Sequence, residues 1–338
     1  CLHGPNHKPL LVHGPQRADL PLDRAARERP AAEWRPASRL RADAVHEGLV
    51  PGSGRYDRTA SGVQPPGRDF GHRLQDGPDT LSISNSIQQI AFDKHTGTIS
   101  SWRINGREML LGGPTLNLGQ GKAGSEQGMY RAKQPPVTTN AQVSAVQGAD
   151  GGVHVAVTGT VLSGAGGSVL GTLVSAYDLK PDAEMTVAWT LNWTAPDTGL
   201  WEEGLEFSVP TSMKQMAWQR ASYFTDYPAG HVGEPSGTAE AGTSLFRASK
   251  RGLDWLTLSD GAGTGLALLP TDVPLVGRAD PASAGTALFA SREVAGPHGL
   301  SGSWVEDHAI HAIKGKSLSG SFTLRALNAP GRAASNHR

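Results

Sequence analysis

Cysteine is almost absent, since Cys1 is the single one in 338 residues. With one thiol the chain can form neither an internal disulfide nor a cysteine-based metal site. No run approaches the ~20 apolar residues that a membrane-spanning helix needs. The apolar stretch Leu10-Leu11-Val12 is too short for the core of a signal peptide. An excess of either charge is missing too, with 31 basic residues against 31 acidic ones. A nucleic-acid partner requires a basic surface that displaces counterions, so the balance argues against one; we expect no membrane partner either. The chain opens on Cys1 rather than Met, and we expect it to be part of a longer polypeptide. The compartment therefore stays open: a soluble protein, bacterial-type secreted, periplasmic or cytoplasmic.

What is plentiful is Gly, at 43, and Pro, at 23, which suits turn-rich β architecture. The two are used differently along the chain. Residues 1–78 are dense in Arg, Pro, His and Ala and poor in β-branched residues. They show neither a period of 2 nor a sustained period of 3.6. Pro15, Pro21, Pro30, Pro36, Pro51, Pro65 and Pro66 interrupt any regular element. Two readings fit: a disordered or loosely attached segment, or GC-rich DNA translated in the wrong frame.

From Asp79 the pattern changes to strands. Leu81–Phe92 alternates imperfectly, Asp93-Lys94-His95-Thr96-Gly97 reads as a turn, and Thr98–Ile104 returns as a second arm. Asn105-Gly106 is a tight-turn signal before Glu108–Leu111. Val153–Val161, Leu173–Leu179 and Met185–Trp193 alternate, the last two joined by Lys180-Pro181-Asp182. Strands are also expected at 203–209, 214–219, 254–259, 264–269 and 318–326. Gly164-Ala165-Gly166-Gly167 has no helix after it to make a phosphate cradle and reads as a hairpin loop. The sum is an all-β, large two-sheet antiparallel sandwich over 79–327, with a poorly structured segment before it and a disordered tail at 328–338.

Several motifs resemble one family. Phe92-Asp93-Lys94-His95-Thr96-Gly97-Thr98-Ile99-Ser100-Ser101-Trp102, followed by Asn105-Gly106-Arg107-Glu108-Met109-Leu110, is similar to the opening "FD..TG.I.SW..NG.ELL" of the C-terminal domain of β-galactosidases in glycoside hydrolase family 2. Gly113-Pro114 and Asn117 follow as in that family. Arg131-Ala132-Lys133-Gln134-Pro135 stands where the family carries "RAP..ND", without the acidic pair. Trp218, Arg220, Tyr227, Pro228, His231, Gly233, Gly237 and Ala239 fit a "W.R...YP..HIG...G.A" variant of the same superfamily. The resemblance implies a galactose mutarotase-like β-supersandwich. It also implies partners: carbohydrate, and the catalytic barrel and immunoglobulin-like domains of a parent chain.

A retaining glycosidase needs two carboxyl groups ~5–5.5 Å apart. In that family both sit on a barrel, and nothing in this sequence reads as one. We therefore expect no catalytic residue here, no cofactor and no metal. Sugar faces stack on aromatic rings while their hydroxyls take planar or charged partners. Trp218, Arg220, Tyr223, Asp226, Tyr227 and His231 supply both kinds within a short stretch; the other reading makes Trp218 and Tyr227 core aromatics and Arg220–Asp226 a surface ion pair. Trp304 is the candidate for the aromatic that the resemblance places at the edge of the sugar site. His308 and His311, with Asp307, lack a third ligand and read as solvated loop residues. Glu202 and Glu203 alternate in direction if they lie on a strand, which excludes a facing acid/base pair; we expect them to be solvated, the other reading being that one of them binds a sugar hydroxyl or a cation. The competing functions are a self-sufficient aldose 1-epimerase or polysaccharide lyase on the same fold, and a free-standing carbohydrate-binding module.

Overall fold

The computed structural model describes residues 71–119, 134–164, 167–221, 234–271, 273–282, 284–294 and 310–327. In chain order the strands begin with β1 (Arg73–Asp76), β2 (Thr80–Ser84), β3 (Gln88–Asp93), β4 (Ile99–Ile104), β5 (Arg107–Leu110), β6 (Gly112–Asn117) and β7 (Val137–Gln147). Next come β8 (Val153–Leu162), β9 (Val169–Leu179), β10 (Glu184–Trp193), β11 (Thr198–Leu200), β12 (Glu202–Val209), β13 (Gln215–Arg220) and β14 (Ser236–Glu240). A single-turn helix, α1 (Ser244–Arg247), precedes β15 (Lys250–Arg251), β16 (Leu253–Ser259), β17 (Gly265–Pro270), β18 (Val276–Ala282), β19 (Gly285–Val294), β20 (Ile310–Ala312) and β21 (Ser317–Leu327).

These strands form two large sheets. The first runs β1-β2-β3-β4-β6-β12-β19-β18-β15, with β5 added to β4. The second runs β14-β13-β16-β17-β21-β10-β9-β8-β7, and β11 with β20 makes a small ribbon. Every pairing among the described strands is antiparallel. Alternation makes the second sheet one-sided: β8 buries Val153, Val155, Val157 and Val161 and turns the residues between them outward. The two inner faces then close on each other. Phe207 of the first sheet meets Phe322 of the second edge to face at 5.8 Å, and Phe92 meets Tyr177 at 5.1 Å. Gly277 marks a close approach of the sheets, because a Cβ there would stand 2.7 Å from Leu253 Cδ1 and 3.0 Å from Leu256 Cδ1.

The expected architecture is the observed one, with differences at particular strands. Leu81–Phe92 is two strands rather than one. The Asn85 side chain accepts hydrogen bonds from the Ile87 and Gln88 amides (2.9 and 2.8 Å) and folds the chain back. Strand β1 lies before the expected start at Asp79, pairing through its backbone with few buried side chains. Strands β7, β18 and β19 carry no clean period of 2. In β19 the reason is burial on both faces, Gly285 through Ser291 being buried without a break. Residues 1–70 and 328–338 lie outside the described residues.

A buried polar network ties the first sheet to the β9–β10 turn. Gln88 Nε2 donates to the Lys180 carbonyl (2.6 Å) and to His72 Nε2 (3.0 Å), while Trp102 Nε1 donates to Gln88 Oε1 (3.0 Å). His72 therefore carries its proton on Nδ1, which donates to the Gly151 carbonyl (2.8 Å). Gln88 is the partner that Trp102 Nε1 and His72 Nε2 share. Replacing Gln88 by Leu strands the Trp102 N–H and His72 Nε2 and leaves the Lys180 carbonyl with the Ala183 amide alone. It should lower stability by about 1–3 kcal/mol in a urea titration. Burial also holds the His72 imidazole below its ordinary pKa, outweighing the Gly151 bond and the nearby Asp150 charge. The fold thus favours neutral His72. Its contribution should be complete above pH ~6.5, the unfolded value, and fall away as pH drops below it. Thermal melts at successive pH values should show that decline in the wild type and not in His72→Gln.

Candidate functional site

The strands that carry the sequence-based site are β13 and its neighbours. Trp218 and Arg220 lie on β13, one strand in from the β14 edge of the second sheet. Trp218 lies in the core at 1% exposure, with the Lys250 ammonium 4.7 Å above its ring. Its other edge rests on Gly237 of β14, where a Cβ would come within 2.7 Å of the indole. Arg220 is half-buried, and its Nε donates to the Glu234 carbonyl at 2.9 Å. Its amide donates to the Pro235 carbonyl at 2.8 Å. Of the remaining candidates, Tyr223, Asp226, Tyr227, His231 and Trp304 lie outside the described residues. The structure places the described ends of both segments near one corner. Ala221 bonds to Gly252, and Val294 accepts from Arg251 and pairs with Glu202.

That corner is built around carboxylates that sequence reasoning expected in solvent. Glu202 and Glu203 are both fully buried. Glu202 starts β12 on the face away from the second sheet, where β18 and β19 present Arg278 and Ser291. Arg278 Nη2 donates to Glu202 Oε2 at 2.8 Å, and Ser291 Oγ donates to Oε1. The Arg278 guanidinium also lies 3.5 Å over the Phe289 ring. Glu203, turned the other way along the strand, takes Arg292 instead, at 2.7 Å. Burial pushes its carboxyl above the usual range, more than the Arg292 bond pulls it down. Glu203 Oε2 and Asn117 Nδ2 are buried and have no hydrogen-bond partner among the described residues. The alternation of the two glutamates was legible in the sequence; their burial was not, because the arginines that pair with them stand 76 and 89 residues away.

Lys250 completes the corner. It is 1% exposed, and its ammonium donates to the carbonyls of Leu245 and, at 2.8 Å, Ala248 at the end of α1. Burial first, and then the Arg220 and Arg278 charges, pull its pKa down to about 7. Trp218, Arg220, Lys250, Arg278 and Glu202 thus form one electrostatically linked group. Chemically it is committed to structure. Both oxygens of Glu202 are taken, and the lysine caps backbone carbonyls. Among the described residues no group of His, Cys, Asp or Glu is arranged to hold a metal ion. A depression of about 200 Å³ lined by Gln75, Gly77, Pro78, Asp79, Thr80 and Ser82 lies elsewhere and contains none of these groups. Removing Arg278 alone should leave Glu202 charged and buried. Arg278→Met is therefore expected to cost about 3–5 kcal/mol in chemical denaturation, and Glu202→Gln with Arg278→Met to recover part of that loss.

Residues 84–224 match the family model described as the beta galactosidase small chain. No curated protein matches the chain. Among solved structures it is similar to a β-arabinopyranosidase, at 13% identity and a TM-score of 0.42, covering 75% of this chain and 40% of that one. The chain thus spans well under half the length of that enzyme. It is also similar to a galactose mutarotase-like protein from Lactobacillus casei, at 11% identity and a TM-score of 0.43, over 73% of this chain and 99% of the other. A galactose mutarotase related enzyme from Lactobacillus acidophilus is similar at 11% identity and a TM-score of 0.41, over 74% and 98%.

Proposed function

We propose that this chain, whose residues 84–224 carry the β-galactosidase small-chain domain, is the non-catalytic C-terminal sandwich of a family 2 glycoside hydrolase. In this reading it packs on a catalytic barrel supplied by the parent protein and helps shape the carbohydrate site. The observation that supports it best is the state of Glu202. Arg278 and Ser291 hold the buried Glu202 carboxylate at both oxygens, which fits a structural ion pair better than a group turned toward a substrate. Glu203 faces away from it and is paired with Arg292, so the two cannot act across one glycosidic bond.

The sugar contacts of this proposal fall to Arg220, Tyr223, Asp226, Tyr227 and His231, with Trp304 as the stacking aromatic at the rim. Trp218 serves from beneath: packed under Lys250 and against Gly237, it holds the strand that presents Arg220. The aldose 1-epimerase alternative needs a free general acid and a free general base on opposite sides of one ring. Two assays on the purified chain separate the readings. A chromogenic β-galactoside should not be turned over, and NMR of freshly dissolved α-glucose should show interconversion at the buffer rate. Hydrolysis of the galactoside would remove the proposal, and accelerated interconversion would establish the epimerase.

A further inference from the structure

Among the described residues the main paths of the two large sheets end on four strands, and three of them are guarded. β1 is four residues long and carries Arg73 and Asp76. β15 is two residues long and is all cation, Lys250 and Arg251. β14 has five residues and ends on Glu240. Short length and charge are the usual means of keeping an edge from pairing with another chain. The fourth edge, β7, has neither. It runs eleven residues, Val-Thr-Thr-Asn-Ala-Gln-Val-Ser-Ala-Val-Gln, with no charged residue and no proline. A bulge at Thr139–Gln142, with Asn140 at φ 52°, disturbs its first part. The second part, Gln142–Gln147, pairs regularly with β8.

We infer that β7 joins two copies of this chain by antiparallel strand addition, about a twofold axis at Ser144. The register follows from the burial pattern. Val143 and Ala145 pack only partly against the core, while Gln142, Ser144 and Val146 face out, Val146 at 67% exposure. With Ser144 opposite Ser144 of the second copy, Val143 lies opposite Ala145 of that copy. The half-covered apolar row of each sheet then continues into the other. Gln142 lies opposite Val146 and can lay its methylenes over that exposed side chain. A symmetric pairing requires a segment that tolerates itself, and an uncharged strand meets that condition where a mixed-charge or cationic edge does not. The formal net charge of the chain is zero, so two copies approach without mutual repulsion.

Sedimentation velocity on the full chain over a concentration series tests this. The wild type should pass from monomer to dimer as concentration rises. Ser144 is exposed, so Ser144→Glu and Ser144→Lys should each fold, as a thermal melt will verify. Each should shift the dimerisation midpoint several-fold upward by placing like charges opposite one another. An equimolar mixture of the two variants should dimerise at or below the wild-type midpoint. A wild type that stays monomeric, variants that associate as tightly as the wild type, or a mixture that fails to recover the dimer would each overturn the inference.

Discussion

The Glu202–Arg278 pair is the interaction on which the first sheet is organised. It joins β12 to β18 across β19, whose Ser291 supplies the third contact. All three residues sit on the face turned away from the second sheet, and all three are buried. A carboxylate and a guanidinium in such a place are tolerable only together, since each alone would keep the full desolvation cost. Their neighbours inherit the constraint. Phe289 is fixed under the guanidinium, and the positive charge of Arg278 bears on Lys250, which Trp218 supports from inside the sandwich. The corner is therefore polar in composition: Glu202 and Arg278 pair with each other, while Lys250 and Arg220 bond backbone carbonyls.

A second polar assembly, around Gln88, plays the corresponding part elsewhere in the sandwich. Trp102 and His72 both depend on that one amide, and through the Lys180 carbonyl it reaches the turn between β9 and β10. Apolar contacts such as Phe207 with Phe322 give the sandwich its cohesion without direction. The two polar assemblies add direction, because a shifted strand would leave several buried groups unpaired.

How much of this could be read from sequence depends on the range of the cause. Where one face of a strand meets the core and the other meets water, alternation records it. Val153–Val161, Leu173–Leu179 and Met185–Trp193 were placed within a few residues of β8, β9 and β10. β19 escaped because it is buried on both sides, and β7 because its inner face is only half-buried and its outer face carries the apolar Val146. The motif resemblance pointed to a family, and the match over 84–224 covers its opening motifs and the start of the Trp218 motif, stopping before Tyr227. The opposite directions of Glu202 and Glu203 were a local consequence of strand geometry and were legible. Their burial depends on Arg278, Ser291 and Arg292, distant in sequence and unmarked by any motif. Trp218 was legible as a landmark but ambiguous as a sugar platform, since only its position beneath Lys250 decides which side of the sheet its ring takes.

The central claim is that glycosidic bonds are broken by groups outside this chain, while the sandwich holds and frames. A retaining glycosidase forms a covalent glycosyl intermediate on its nucleophilic carboxylate, and an activated 2-deoxy-2-fluoro galactoside traps that intermediate. Intact mass spectrometry of the purified chain after such treatment is the most direct measurement. The account predicts an unchanged mass; a single glycosyl adduct, on Glu202, Glu203 or any other carboxylate, would contradict it.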